Sequence, residues 1–241
     1  MYYYNKKAEA EKMTEKELDK MNEIRKTSLK GAVEEIYELC DKMEEPIKLN
    51  LDMDIRKIVQ VEFLQFMMYL SASNGTIDRR EAELISVVIG CDMTPLEVKK
   101  FIEDNNIYST EFEQKVPVTF RIVTTLDNML EKQGVNLWRG NESNENYANM
   151  SEFFLYMYKL MAQAVCEANG NIEKEERDDW NTYRSMLENY INENLDSRKK
   201  KAAVTKDTGS VPTPAKNSSV AAPAKKGKET ASQVAAPKKG K

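Results

Sequence analysis

Three observations predict an all-α fold: a helical bundle with two pseudo-repeated helix-turn-helix units, followed by a disordered basic tail. Apolar residues recur at spacings of three and four up to Leu195, the period of a helix face turned toward a core. Strand-like alternation is confined to residues 49–55, a stretch too short to stand against the helical patterns beside it. Composition changes abruptly at Ser197, beyond which Leu, Ile, Met and aromatic residues are absent.

The elements follow in order. Residues 6–44 are highly charged and carry Leu18, Met21, Ile24, Leu29, Val33, Ile36, Cys40 and Met43 on one face, which predicts one long helix, or two broken near Gly31, stopped by Pro46. Residues 49–55 read as a connector. From Ile55, the set Phe63, Phe66, Met67 and Leu70 marks a helix buried against neighbours, ending at residues 71–75. A helix starting at Asp78 carries Leu84, Ile85 and Val88 toward Gly90, which suits a C-terminal cap. Thr94-Pro95-Leu96-Glu97 combines an N-cap, Pro at the first helical position and Glu at N3, and opens a helix to about Asp104. Pro117 opens the next, with Phe120, Val123, Leu126 and Leu130, ending at Gly134. Residues 138–149 are polar and Asn-rich, hence a loop. Asn149 and Glu152 form a further capping box before Phe154, Met157, Met161, Ala164 and Val165, and a last helix spans about Lys174 to Leu195. The expected division is 1–46 as N-terminal amphipathic helix or helices, 47–196 as the helical domain, and 197–241 as the tail.

Composition removes several chemistries. Among 241 residues there is no His, which excludes Ser-His-Asp and Cys-His nucleophilic sites, imidazole acid-base work and His-ligated zinc. Cys40, Cys91 and Cys166 are odd in number and far apart, as expected of buried thiols in a reducing compartment. No run approaches a membrane-spanning length and residues 1–12 lack a signal-peptide apolar stretch, so the expected location is the cytoplasm.

Charge is segregated along the chain. From Ser197 onward there are 12 Lys or Arg against 2 acids, whereas residues 1–196 hold 24 basic and 38 acidic residues. The tail, built from Lys, Ala, Pro, Ser, Thr and Val, cannot bury enough apolar surface to offset an ordering cost of about 1–2 kcal/mol per residue. As a flexible coil its length corresponds to a root-mean-square span of roughly 37 Å. Paired lysines such as Lys225-Lys226 and Lys238-Lys239 suit diffuse contact with nucleic acid, an anionic membrane or an acidic protein face. A purely solubilising role and folding back onto the acidic body are the other two readings. Protein partners are expected for the body, and self-association for the N-terminal helix if its stripe is left uncovered.

Internal similarity is the most informative feature. Asn74-Gly75-Thr76-Ile77-Asp78-Arg79-Arg80-Glu81 corresponds to Asn169-Gly170-Asn171-Ile172-Glu173-Lys174-Glu175-Glu176, each directly after an apolar helix and before a second helix. A calcium loop of the helix-loop-helix type needs early oxygen ligands. Here those positions hold Leu70 and Ala72 in one unit and Val165 and Glu167 in the other, which argues against such a site.

The two stretches, residues 71–84 and 166–180, resemble the TerB-like family, the helical domain of tellurite-resistance and related stress operons, which is also similar to the N-terminal domain of a membrane-anchored DnaJ co-chaperone. The resemblance covers about residues 55–195; where the family usually has Asp before the Gly, this chain has Asn74 and Asn169. It implies acids clustered beside the two turns, Asp78, Glu81, Glu173 and Glu176, binding a divalent cation (Ca or Mg) or a partner, with Asn74 and Asn169 adding amide oxygens. The same acids are accounted for by helix chemistry: Asp78 as N-cap with Glu81 at N3, Glu173 and Glu176 in a first turn. Gly75 and Gly170 are turn residues. Met67, Met68 and Tyr69, with Tyr156, Met157 and Tyr158, are expected in the core, and Trp138 and Trp180 as anchors with one wet edge.

Three function classes follow. The first is a non-enzymatic helical adaptor of a bacterial stress-response or envelope-associated system, with an acidic body for partners and a basic tail for polyanions. The second is a divalent-cation sensor using the four acids. The third, an enzyme, would need those acids as a carboxylate pair or metal site, and no Gly-rich phosphate loop follows a strand.

Overall fold

A computed structural model describes residues 13–47, 54–109, 112, 115–134 and 149–199. The described residues form an all-α bundle whose long helices are α1 (Glu15–Ile47), α2 (Ile55–Ala72), α3 (Arg79–Ile89), α4 (Pro95–Asp104), α5 (Val118–Gln133), α6 (Met150–Cys166) and α7 (Lys174–Asn194). No described helix is long and apolar enough to cross a membrane. Residue 200 onward and residues 135–148, the latter holding Trp138 and most of the Asn-rich stretch, lie outside the description, as does most of the 49–55 connector.

Local chemistry places most boundaries. Asp54 caps α2 by accepting from the Lys57 N–H at 3.1 Å, and Thr94 with Glu97 forms a reciprocal capping box at α4. α3 and α5 end at Gly90 and Gly134, both left-handed. α1 is one helix, continuous through Gly31 and extending one residue past Pro46; Pro46 has no N–H to donate to the Lys42 carbonyl, and the helix ends one residue later.

α2 is the hub. It packs against all six other helices, which is why Met67, Met68, Tyr69 and Leu70 are all buried although consecutive helical positions point in different directions. α6 packs against five helices and leaves a narrow exposed strip through Tyr156, Lys159 and Gln163. Met157 and Tyr158 are buried, but Tyr156 is 38% exposed, so the expectation of a core stripe fails at that position. Phe63, Phe66, Phe154, Tyr158 and Tyr183 interlock, Phe66 and Tyr158 edge-to-face at 4.9 Å. Trp180 lies 5.9 Å from Phe66 and keeps its outer edge partly exposed.

α1 belongs to the same core. Its Leu29, Val33, Ile36, Leu39, Cys40 and Met43 are buried in the cluster that contains α2 and α6, with α3 and α6 as its main supports. The stripe is therefore covered by the body, except for Met21 and Ile24 near its N-terminal end. Of the three thiols, Cys40 and Cys166 are buried, whereas Cys91 is exposed because it follows the Gly90 cap in a surface turn.

Candidate functional site

The two Gly turns meet. After α2 the chain turns at Gly75 (φ 76°), and after α6 it turns at Gly170 (φ 79°). Asn74 closes the first turn by accepting from the Thr76 N–H at 2.8 Å and hydroxyl at 2.9 Å. Its amide nitrogen reaches across to donate to Glu176 Oε1 at 3.0 Å. One residue earlier, the Ser73 hydroxyl donates to Asp179 Oδ2 at 2.6 Å, where the Tyr108 hydroxyl also donates at 2.9 Å. The first turn is thereby bound to the start of α7.

The four acids occupy two levels. Asp78 and Glu173 are the N-caps of α3 and α7, at the rim. Glu81 and Glu176 are the corresponding N3 residues and lie inside, 0% and 1% exposed. Each accepts its own cap's N–H: Asp78 N–H to Glu81 Oε2 at 2.7 Å, Glu173 N–H to Glu176 Oε2 at 3.3 Å. The Arg80 N–H donates to Asp78 Oδ1 at 2.7 Å.

Burial without a counter-charge sets the electrostatics. Loss of hydration pushes the Glu81 carboxyl up to about 8, opposed by the Asp78 N–H and reinforced by the charges of Glu176, Asp78 and Glu173. Glu176 rises to about 7, again mainly through burial, with the Glu173 N–H and Asn74 amide holding it lower. The buried Cys166 thiol is pushed to about 12 by burial and then by the same two carboxyls, so it is inert as a nucleophile at neutral pH. Glu81 Oε1 and Asn169 Oδ1 are buried and accept no hydrogen bond. Burial without a counter-charge therefore favours the neutral form of Glu81.

α1 crosses both turns. The Arg80 guanidinium, 6% exposed, pairs with Glu15 and with Asp19 at 3.0 Å, while Arg79 reaches Asp19 at 2.6 Å. Asn22 donates to Glu83 at 2.9 Å and Arg25 pairs with Glu167 at 3.3 Å. Gly170 sits directly under Leu18.

Chemically, this arrangement is a helix-capping junction. Among the described residues, no three His, Cys, Asp or Glu side chains are placed to hold a metal ion together. The inner acids each commit one oxygen to a backbone N–H, and the rim acid Asp78 commits one to the Arg80 N–H. Glu81 and Glu176 are brought together; Asp78 and Glu173 flank them.

Two acids missed in the sequence do comparable work elsewhere. Glu62 on α2 accepts from the Val118 N–H at 2.6 Å, the Thr119 N–H at 3.1 Å and the Thr119 hydroxyl, capping α5 from another helix. Asp127 on α5 accepts from Met150 N–H (3.1 Å), Ser151 N–H (2.7 Å) and Ser151 hydroxyl (2.6 Å), supporting the start of α6. Burial raises both, Asp127 to about 6. α5 starts at Pro117, which has no side-chain acceptor, and Glu62 takes the place that water would otherwise fill there. No family model, curated protein or solved structure matches this chain.

Proposed function

We propose that this chain is a non-enzymatic helical adaptor whose acidic body engages protein partners and whose basic tail engages polyanions. The observation that carries the reading is the charge segregation, 24 basic against 38 acidic residues in 1–196 and 12 against 2 beyond it. Two opposite fields on one chain, joined by a segment without large apolar residues, suit bringing two differently charged surfaces together. The buried acids support the reading as well, because Glu62, Asp127, Glu81 and Glu176 tie helix starts to one another and stiffen the body that presents its surface. A setting in a bacterial stress-response or envelope-associated system rests on the TerB-like resemblance of residues 71–84 and 166–180.

Removing residues 200–241 tests the proposal. The cut leaves Arg198 on Glu152 and Lys199 on Asp196 and keeps every contact among residues 13–199, so the melting temperature is expected to stay within about 2 °C. Salt-sensitive binding to duplex DNA or anionic vesicles disappears. A truncated chain that binds both as tightly as the intact one overturns the proposal.

A further inference from the structure

We propose that the cavity between α2, the described part of the α4–α5 connection and α7 is a binding site for a free α-amino acid with an uncharged side chain, its ammonium on Glu62 and its carboxylate on Lys115. The site adds a small-molecule ligand to the adaptor reading and does not rest on it.

Three elements build the cavity. Glu62 and Gln65 are three positions apart on α2, and so share a face. The chain leaves α4 through Asn106, which has the only left-handed non-glycine backbone among the described residues (φ 48°), a sparsely populated conformation of the kind retained at ligand sites. Phe112 and Lys115 are then held by backbone bonds, Phe112 N–H to Ser109 O at 3.0 Å and Lys115 N–H to Phe112 O at 3.2 Å. Tyr183 of α7 stacks on Phe112 at 5.7 Å and lines the cavity with it.

The charges select the ligand. Burial raises the Glu62 carboxyl, and Lys115 is close enough to hold it lower. Yet among the described residues Lys115 takes part in no ion pair of 4.0 Å or less. An acid and a base thus border one cavity without touching. Glu62 Oε2 is taken by Thr119, but Oε1 accepts only the Val118 N–H at 2.6 Å, which leaves it a lone pair for a further donor. A simple cation would be opposed by Lys115 and a simple anion by Glu62. A ligand carrying both charges is opposed by neither, and each of its charges meets a partner in a partly desolvated setting where the contact is stronger than in water.

The volume sets the size. It is about 270 Å3, nearly twice the roughly 150 Å3 that encloses a benzene ring, which suits a ligand of about 8–12 non-hydrogen atoms. Leucine, methionine and phenylalanine are of that size. Buried Ile107, with Phe112 and Tyr183, offers the side chain apolar surface, and no further charged residue of the wall awaits a charged side chain.

Calorimetric titration of the full chain tests the site. The probes are L-leucine, L-methionine and L-phenylalanine, their N-acetyl derivatives, which lack the ammonium, and their amides, which lack the carboxylate. At least one amino acid is expected to bind with Kd below about 1 mM, and both of its derivatives at least about tenfold more weakly, as a contact to a charged group is lost. Lys115→Gln changes an exposed side chain without an ion pair among the described residues; it is expected to weaken the amino acid about tenfold and to leave its amide unchanged. Glu62→Gln keeps an acceptor for the start of α5 and is expected to weaken the amino acid but not its N-acetyl derivative. No heat from any of the three amino acids up to about 10 mM overturns the proposal. Binding that Lys115→Gln leaves intact also overturns it, as does an N-acetyl derivative that binds as tightly as its parent; that last comparison decides the Glu62 contact even where Glu62→Gln fails to fold.

Discussion

The Asn74 amide donates to Glu176 Oε1 at 3.0 Å, linking residues 102 positions apart and fastening the first Gly turn to the last helix. Around that contact the molecule is crosslinked by side chains that serve helix ends, and the consequences are measurable.

Stability should fall as pH rises through neutrality. Glu81 and Glu176 have folded values of about 8 and about 7, above the ordinary 4.5. Between 4.5 and those values the folded state holds protons that the unfolded state has lost, so their contribution is fully present below 4.5 and is lost by about pH 8. Each proton difference corresponds to about 1.4 kcal/mol per pH unit. Asp127, raised to about 6, acts in the same direction over a lower window. Urea midpoints from pH 5 to 9 should decline, and Glu81→Gln, which keeps the capping acceptor, should flatten the decline and exceed the parent protein above pH 8. A flat parent profile refutes the buried-acid assignment.

Asn74→Asp should destabilise more at pH 8 than at pH 5. It replaces the donor to Glu176 with a third acid beside a pair that is already short of counter-charge. Loss of a bond to a charged group costs about 1.5–3 kcal/mol, and paired denaturation curves at the two pH values separate that loss from added repulsion.

Asp127→Ala should cost about 1–3 kcal/mol, since Met150 N–H, Ser151 N–H and the Ser151 hydroxyl lose a buried acceptor. Hydrogen exchange should report the change first in the opening turn of α6. Unchanged protection there contradicts the capping role.

Gly170→Ala should be worse than Gly75→Ala. Both backbones have positive φ, costing about 1–2 kcal/mol for a residue with a Cβ. At Gly170 the new carbon also falls 2.6 Å from Leu18 Cδ2, whereas Gly75 has nothing within 4 Å. Adding Leu18→Ala should remove the excess of the first substitution over the second; thermal melts of the single and double variants decide it.

What could be read from the sequence divides by range. Asp78, Thr94 with Glu97, Asn149, Gly90 and Gly134 all mark helix ends through partners within four residues, and such signals survive in a one-dimensional text. Glu62 and Asp127 cap helices 56 and 24 positions away, and nothing local distinguishes them from solvated acids. The four acids beside the turns were identifiable as a group, but their division into two buried N3 residues and two rim caps depends on how α1, α3 and α7 close over the junction. Exposure of Tyr156 likewise depends on how many neighbours each face of its helix has, which periodicity alone does not encode.

The most direct measurement of the adaptor claim is the salt dependence of binding to a short DNA duplex and to phosphatidylserine vesicles, by the full chain and by a chain ending at Lys199. The full chain should lose affinity steeply with added salt, each lysine–phosphate contact on duplex DNA contributing about 0.9 to the logarithmic slope, and the shortened chain should show no salt-dependent binding. Equal affinities and slopes for the two chains would contradict it.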